Sequence, residues 1–145
     1  MKTKLAFLGI ALSSTLVASG FSETSEDISY LIDSYDKSTL TEISNELVKM
    51  ASNEEAMGEF ELASVHYKRA LKIRESIGLR NHKSYASILY LSSGAEFQAG
   101  KSCDAAFSAK VASEEFEKHG LVKYRDKAME DYLAYGKVCS LVALN

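Results

Sequence analysis

The sequence predicts an all-α fold built from antiparallel helical hairpins, and three observations carry that expectation. No proline occurs among the 145 residues, and proline is the residue that most strongly interrupts helix interiors. Apolar residues recur at i, i+3, i+4 and i+7 through most of the chain, which is the spacing of one helix face, and no stretch alternates with the period of a strand. The chain also resembles itself when shifted by 42 residues. Thirteen of the 62 positions compared from 42 to 103 are identical, where chance at this composition gives about four. The matches include Gly58/Gly100, Gly78/Gly120, Gly94/Gly136, Ala63/Ala105, Ala70/Ala112, Ala86/Ala128 and Tyr90/Tyr132. A fixed period of this size is the signature of stacked units.

Residues 1–20 differ in kind from the rest. A short basic start, MKTK, precedes the apolar run LAFLGIALSSTLVA and the small residues Ala18 and Gly20. This is the order of a secretory signal peptide cut near Gly20. A buried N-terminal helix or an uncleaved anchor is the alternative. The run is short and serine-containing for a bilayer span, and no cysteine follows the cleavage position to carry a lipid. Residues 21–37 form a leading segment with a short helix expected from Glu26 to Tyr35, whose Ile28, Leu31, Ile32 and Tyr35 share one side.

The repeat domain is expected over 38–145. Its first helix carries Leu40, Ile43, Leu47, Met50 and Ala51 on one face, and Thr39 with Glu42 has the spacing of a capping box. The second helix shows Phe60, Ala63, Tyr67, Ala70, Leu71 and Ile77, with Gly78 as its stop. The next pair is expected from about Lys83 to Ala99 and from Ser102 to His119, stopped by Gly120. A last helix follows from about Leu121 to Ala143.

Composition excludes some functions. Hydrophobic residues make up 46% and charged residues 26%, and the net charge is −3. That is a globular chain without the basic excess of a nucleic-acid binder. Without residues 1–20 the charge becomes −5.

Within GEFELASVHYKRALKI, residues 58–73, Gly58 precedes Phe60, and Ala63, Tyr67 and Ala70 follow at helical spacing. This pattern resembles the tetratricopeptide repeat. The period, with RALKIRESIG followed by NHKSYASIL, is most similar to the longer repeats of the kinesin light chain type. The second unit departs from the pattern: Ala105, Ala109 and Ala112 keep the small spacing, but Ala109 stands where the aromatic belongs. Leu47 and Leu89 stand where the family often has tryptophan, and its closing proline is missing. An ordinary antiparallel bundle is the other architecture these alanines fit.

The resemblance implies a short right-handed solenoid with a C-terminal capping helix and a concave groove lined by the first helix of each unit. Groove-facing positions then fall on Asn45, Val48, Ser52 and Glu55, on Ser87, Tyr90, Gly94 and Phe97, and on Met129, Tyr132 and Gly136. A glycine inside a helix costs about 1 kcal/mol relative to alanine. Gly94 and Gly136 therefore suggest close packing, either by a ligand segment or by a neighbouring helix with the tyrosines as core. The family's lysine and asparagine clamp, which grips a carboxylate, is not present as a set, because only Asn45 and Lys49 match it.

Cys103 and Cys139 each lie 18 residues from Leu121, the centre of the last turn. In an antiparallel hairpin such residues come alongside each other, so a disulfide is expected. No catalytic set is legible. His66, His82 and His119 have no metal-ligand spacing and are expected on the surface or as caps. No G-x-S-x-G elbow occurs, and GLRNHKS lacks the glycines of a phosphate loop. The acids of SETSED and SNEE are expected as a solvated tail and a helix surface. The sequence therefore points away from an enzyme, a cofactor, a metal or a stable membrane span. It points to an exported module, periplasmic or secreted, that binds a peptide or protein segment. A structural or assembly subunit of an envelope or secretion complex, its apolar faces covered by a copy of itself or by the larger complex, is the second reading.

Overall fold

A computed structural model describes residues 28–144, so the expected signal peptide, the SETSED tail and the start of the leading helix lie outside the described residues. Of the described residues 84% are helical and none is in a strand. The six helices are α1 (Ser29–Ser34), α2 (Lys37–Met57), α3 (Phe60–Ser76), α4 (Lys83–Gln98), α5 (Ser102–Lys118) and α6 (Val122–Val142). From α2 onward each helix packs chiefly on its neighbours in the chain, so the array is laid out in chain order. Helices α3 and α5 have the same length and lie 42 residues apart.

Glycine sets the turns. Gly58 (φ 80°) and Gly120 (φ 66°) are left-handed, a conformation that clashes with a Cβ. At the end of α2 the Glu59 amide donates to the Glu54 carbonyl (2.8 Å) and the Gly58 amide to that of Glu55 (3.0 Å). This paired bonding satisfies carbonyls that a helix end leaves open. It recurs after α3, α4 and α5.

The start of α2 corrects the expected capping box. Asp36, not Thr39, is the N-cap, and its Oδ1 accepts from the Thr39 amide at 2.8 Å. The aspartate lets the helix begin a turn earlier than the apolar pattern does. The Thr39 amide also holds the Asp36 carboxyl below its ordinary value.

Alanine lets the helices approach. Ala63, Ala70, Ala86, Ala105, Ala109, Ala112 and Ala128 are fully buried. The main core gathers such residues with Tyr67, Leu71, Tyr85, Ile88, Leu89 and Phe116. A second cluster joins Ile28 before α1 and Leu40 of α2 to Ile73 and Ile77 at the end of α3.

The disulfide expected from symmetry is present. Cys103 at the start of α5 is bonded to Cys139 near the end of α6, with the Cα atoms 4.8 Å apart. The bridge ties the end of α6 to the start of α5, and Ala128 is the one fully covered residue of α6 among those described.

Two expectations about polar residues are overturned. His66 is neither a surface nor a capping residue: it is buried, with Nδ1 2.8 Å from Glu54 Oε2. Glu54 accordingly leaves the helix surface expected for SNEE and lies in the α2–α3 seam. Burial of either group without the other would be costly, so the pair is a unit. The other histidines follow the reading as caps. His82 Nδ1 accepts from the Ser84 amide at 3.2 Å to cap α4, and His119 is the exposed C-cap residue of α5.

Candidate functional site

A cleft of about 520 Å³ opens across alternate helices. Asn45 and Val48 of α2 form one wall, and Lys83, Ser84, Ser87, Ile88 and Leu91 of α4 run along its middle. Leu121 and Tyr124, at the start of α6, form the far wall. Arg74 of α3 and Phe116 of α5 also line it.

The chain places these groups by helical spacing. Lys83, Ser84, Ser87, Ile88 and Leu91 recur at one and three residues, so they make a single stripe on α4. Arg74 and Phe116 are register equivalents, 42 residues apart, each near the end of the second helix of its unit. Phe116 is 1% exposed and packs edge-on to Tyr90 (6.1 Å between ring centres) and against Tyr124 (5.6 Å). Arg74 is 7% exposed. Its Nε donates to Ser44 Oγ (2.9 Å), its Nη1 to Ser84 Oγ (3.0 Å) and its Nη2 to Asn45 Oδ1. All three acceptors are neutral, and among the described residues no carboxylate pairs with it. Burial pushes the guanidinium below its ordinary value.

Of the groove residues expected from sequence, Asn45, Val48 and Ser87 line this cleft. Others serve the helix contacts. Tyr90 is half-buried, and its hydroxyl donates to Asp131 Oδ2 of α6 at 2.5 Å. Burial first, and then the Asp131 carboxylate, push that hydroxyl up. Phe97 stacks on Tyr135 with ring centres 4.2 Å apart. Together these two contacts tie α4 to α6. Glu55 accepts from the buried Tyr67 hydroxyl at 2.7 Å. Tyr132 is half-buried, and Ser52 and Met129 are exposed.

The expected close packing on Gly94 and Gly136 by a neighbouring helix is not found. A Cβ built on either meets nothing within 4 Å. Both glycines face open space.

Sequence reading missed the other lining residues: Arg74, Lys83, Ser84, Ile88, Leu91, Phe116, Leu121 and Tyr124. One signal for Arg74 was present: a cation in one unit stands in register with phenylalanine in the other. Glu96, the register partner of Glu54, was also missed. It is 1% exposed, and its Oε1 pairs with Lys68 Nζ at 3.1 Å. Among the described residues no group of three His, Cys, Asp or Glu is arranged to hold a metal ion, and no helix is long and apolar enough to cross a membrane. No protein family, no curated protein and no solved structure matches this chain.

Proposed function

We propose that this protein is an exported interaction module of tetratricopeptide-like build, which holds a peptide or protein segment of its partner in the cleft across α2, α4 and α6. The observation that carries the reading is the cleft itself. It is of ligand size, and its lining combines apolar Val48, Ile88, Leu91 and Phe116 with polar Asn45, Arg74, Lys83, Ser84 and Ser87. The chain-order packing of the helices and the 42-residue period support the repeat build, and the disulfide supports an oxidising compartment.

Leu91 gives a clean test. It lines the cleft yet is 42% exposed, so Leu91→Asp should leave the fold intact. Binding of fluorescent peptides, selected on an array by the wild-type protein, should weaken at least tenfold. Equal binding by a folded Leu91→Asp variant would place the contact elsewhere.

A self-associating subunit is favoured by a different observation. Leu133, Leu141, Val142 and Leu144 are all well exposed along the last helix and its end. Sedimentation of the purified protein at rising concentration tests this: a monomer throughout would count against self-assembly.

A further inference from the structure

We propose that two copies of this chain pair through α6, antiparallel, about a two-fold axis that crosses the helix between positions 131 and 132. The inference rests on the self-associating reading rather than on the cleft, and adds the surface, the symmetry and the register.

The two ends of the helix array differ. Helix α2, the first of the long helices, exposes Glu42, Glu46, Lys49 and Asn53 at the spacing of one face, with Lys49 paired to Glu46. That is the polar outer face with which a stack of helices closes against water. Helix α6, the last, carries a different face. Val122, Asp126, Met129, Leu133, Lys137 and Ser140 recur at four, three, four, four and three residues, which is one side of a helix, and all six are exposed. Leu141 lies at the edge of the same side and is 65% exposed. None of these residues lines the cleft. The stripe runs for about 30 Å, with Leu133 near its middle.

Charge decides what covers it. Lys127 is met within α6 by Glu130 (3.4 Å) and Asp131 (3.2 Å). Lys137 has Leu133, Ala134, Ser140 and Leu141 at the corresponding spacings, so no acid of its own helix reaches it. The acid on its own stripe is Asp126, three turns away, with a side chain 63% exposed. A single helix holds these two charges about 16 Å apart. An antiparallel copy brings them together. In a two-fold pair, positions equidistant from the axis meet, and every contact occurs twice. An axis between 131 and 132 sets Asp126 against Lys137 of the second copy. The same register sets Val122 against Leu141, and Met129 against Ala134 and Leu133, so the charges and the apolar residues agree on one alignment. Head-to-tail stacking on α2 would instead press Leu133 against the charged face of Glu42, Glu46 and Lys49.

The test sediments the purified, disulfide-bonded protein at rising concentration. The wild type should pass from monomer to dimer and no further. Leu133→Asp should remain a monomer. Lys137→Glu and Asp126→Lys each place like charges at both contacts, and each variant alone should dissociate about tenfold more readily or worse. Mixed in equal amounts, the two variants have opposite charges at both contacts and should recover the dimer. All three positions are exposed, and circular dichroism confirms that each variant keeps its helix content. A wild type that stays monomeric would overturn the pairing and leave the cleft reading standing. A dimer that Leu133→Asp does not weaken would overturn the surface. Charge variants that dissociate and are not rescued by mixing would overturn the antiparallel register. Growth beyond the dimer would overturn the two-fold symmetry.

Discussion

Replacing both cysteines tests how the last helix is held. Cys103 and Cys139 are separated by 36 residues. The chain-entropy relation gives about 4 kcal/mol of stabilisation for closing a loop of that length. Little packing is lost on substitution, because Cys103 is exposed and Cys139 half-buried. The cost of Cys103→Ser/Cys139→Ser is therefore almost wholly the lost crosslink. With a urea slope of about 1.5–2 kcal/mol/M, the unfolding midpoint read by circular dichroism should fall by about 2 M. Amide exchange gives an independent reading of where the loss falls. The first half of α6 is anchored apart from the bridge, by buried Ala128, by the Ser113 hydroxyl on the Arg125 carbonyl (3.1 Å) and by Arg125 with Glu117 (2.6 Å). The second half has the Tyr135 stack on Phe97 and the bridge. Protection should fall most after Gly136. A midpoint shift below about 0.5 M, or uniform loss of protection along α6, would refute the reasoning.

Two further predictions follow from single positions. Gly58→Ala and Gly120→Ala should each cost about 1 kcal/mol, because alanine is strained at their positive φ. Gly94→Ala and Gly136→Ala should each stabilise by about 0.5–1 kcal/mol, since the helix gains propensity and the new Cβ meets nothing; urea midpoints read both signs. The fold also disfavours tyrosine ionisation. Burial, and then the Glu75 carboxylate, push the Tyr85 hydroxyl up from 10.0 to about 12, and Tyr67 and Tyr90 are raised by burial with Glu55 and Asp131. A raised folded value means that the folded state holds its protons where the unfolded state releases them. These groups leave stability unchanged below pH 10 and lower it progressively from pH 10 to 12. Melting temperatures across that range should fall, less steeply in Tyr67→Phe; a flat profile would contradict the burial of the hydroxyls.

Helix periodicity reports apolar faces, which is why α3, α5 and the turns after them were legible nearly to the residue, and why the cysteine pair could be placed by distance from Leu121. The same method is blind to polar burial. Glu54 and His66 lie 12 residues apart, and Arg74 finds Ser44 and Asn45 30 and 29 residues away. Nothing in local spacing announces partners that the hairpins bring together. The cap at Asp36 was missed for a related reason: its energy comes from one side-chain bond ahead of the apolar stripe, not from the stripe.

The departures from the repeat are more informative than its thirteen identities. In the first unit an aromatic on the second helix, Tyr67, reaches an acid on the first, Glu55. In the second unit these positions hold Ala109 and Phe97, and the aromatic has moved to the first helix, where it stacks on Tyr135 of α6. The exchange keeps one ring at that level of each unit while changing which neighbour it meets. The exchange of Arg74 for Phe116 is met differently: no described acid pairs with the cation, which donates to Ser44, Ser84 and Asn45 and stands in the last turn of α3, where the helix carbonyls favour a positive charge. An exchange balanced inside the fold is explained by packing.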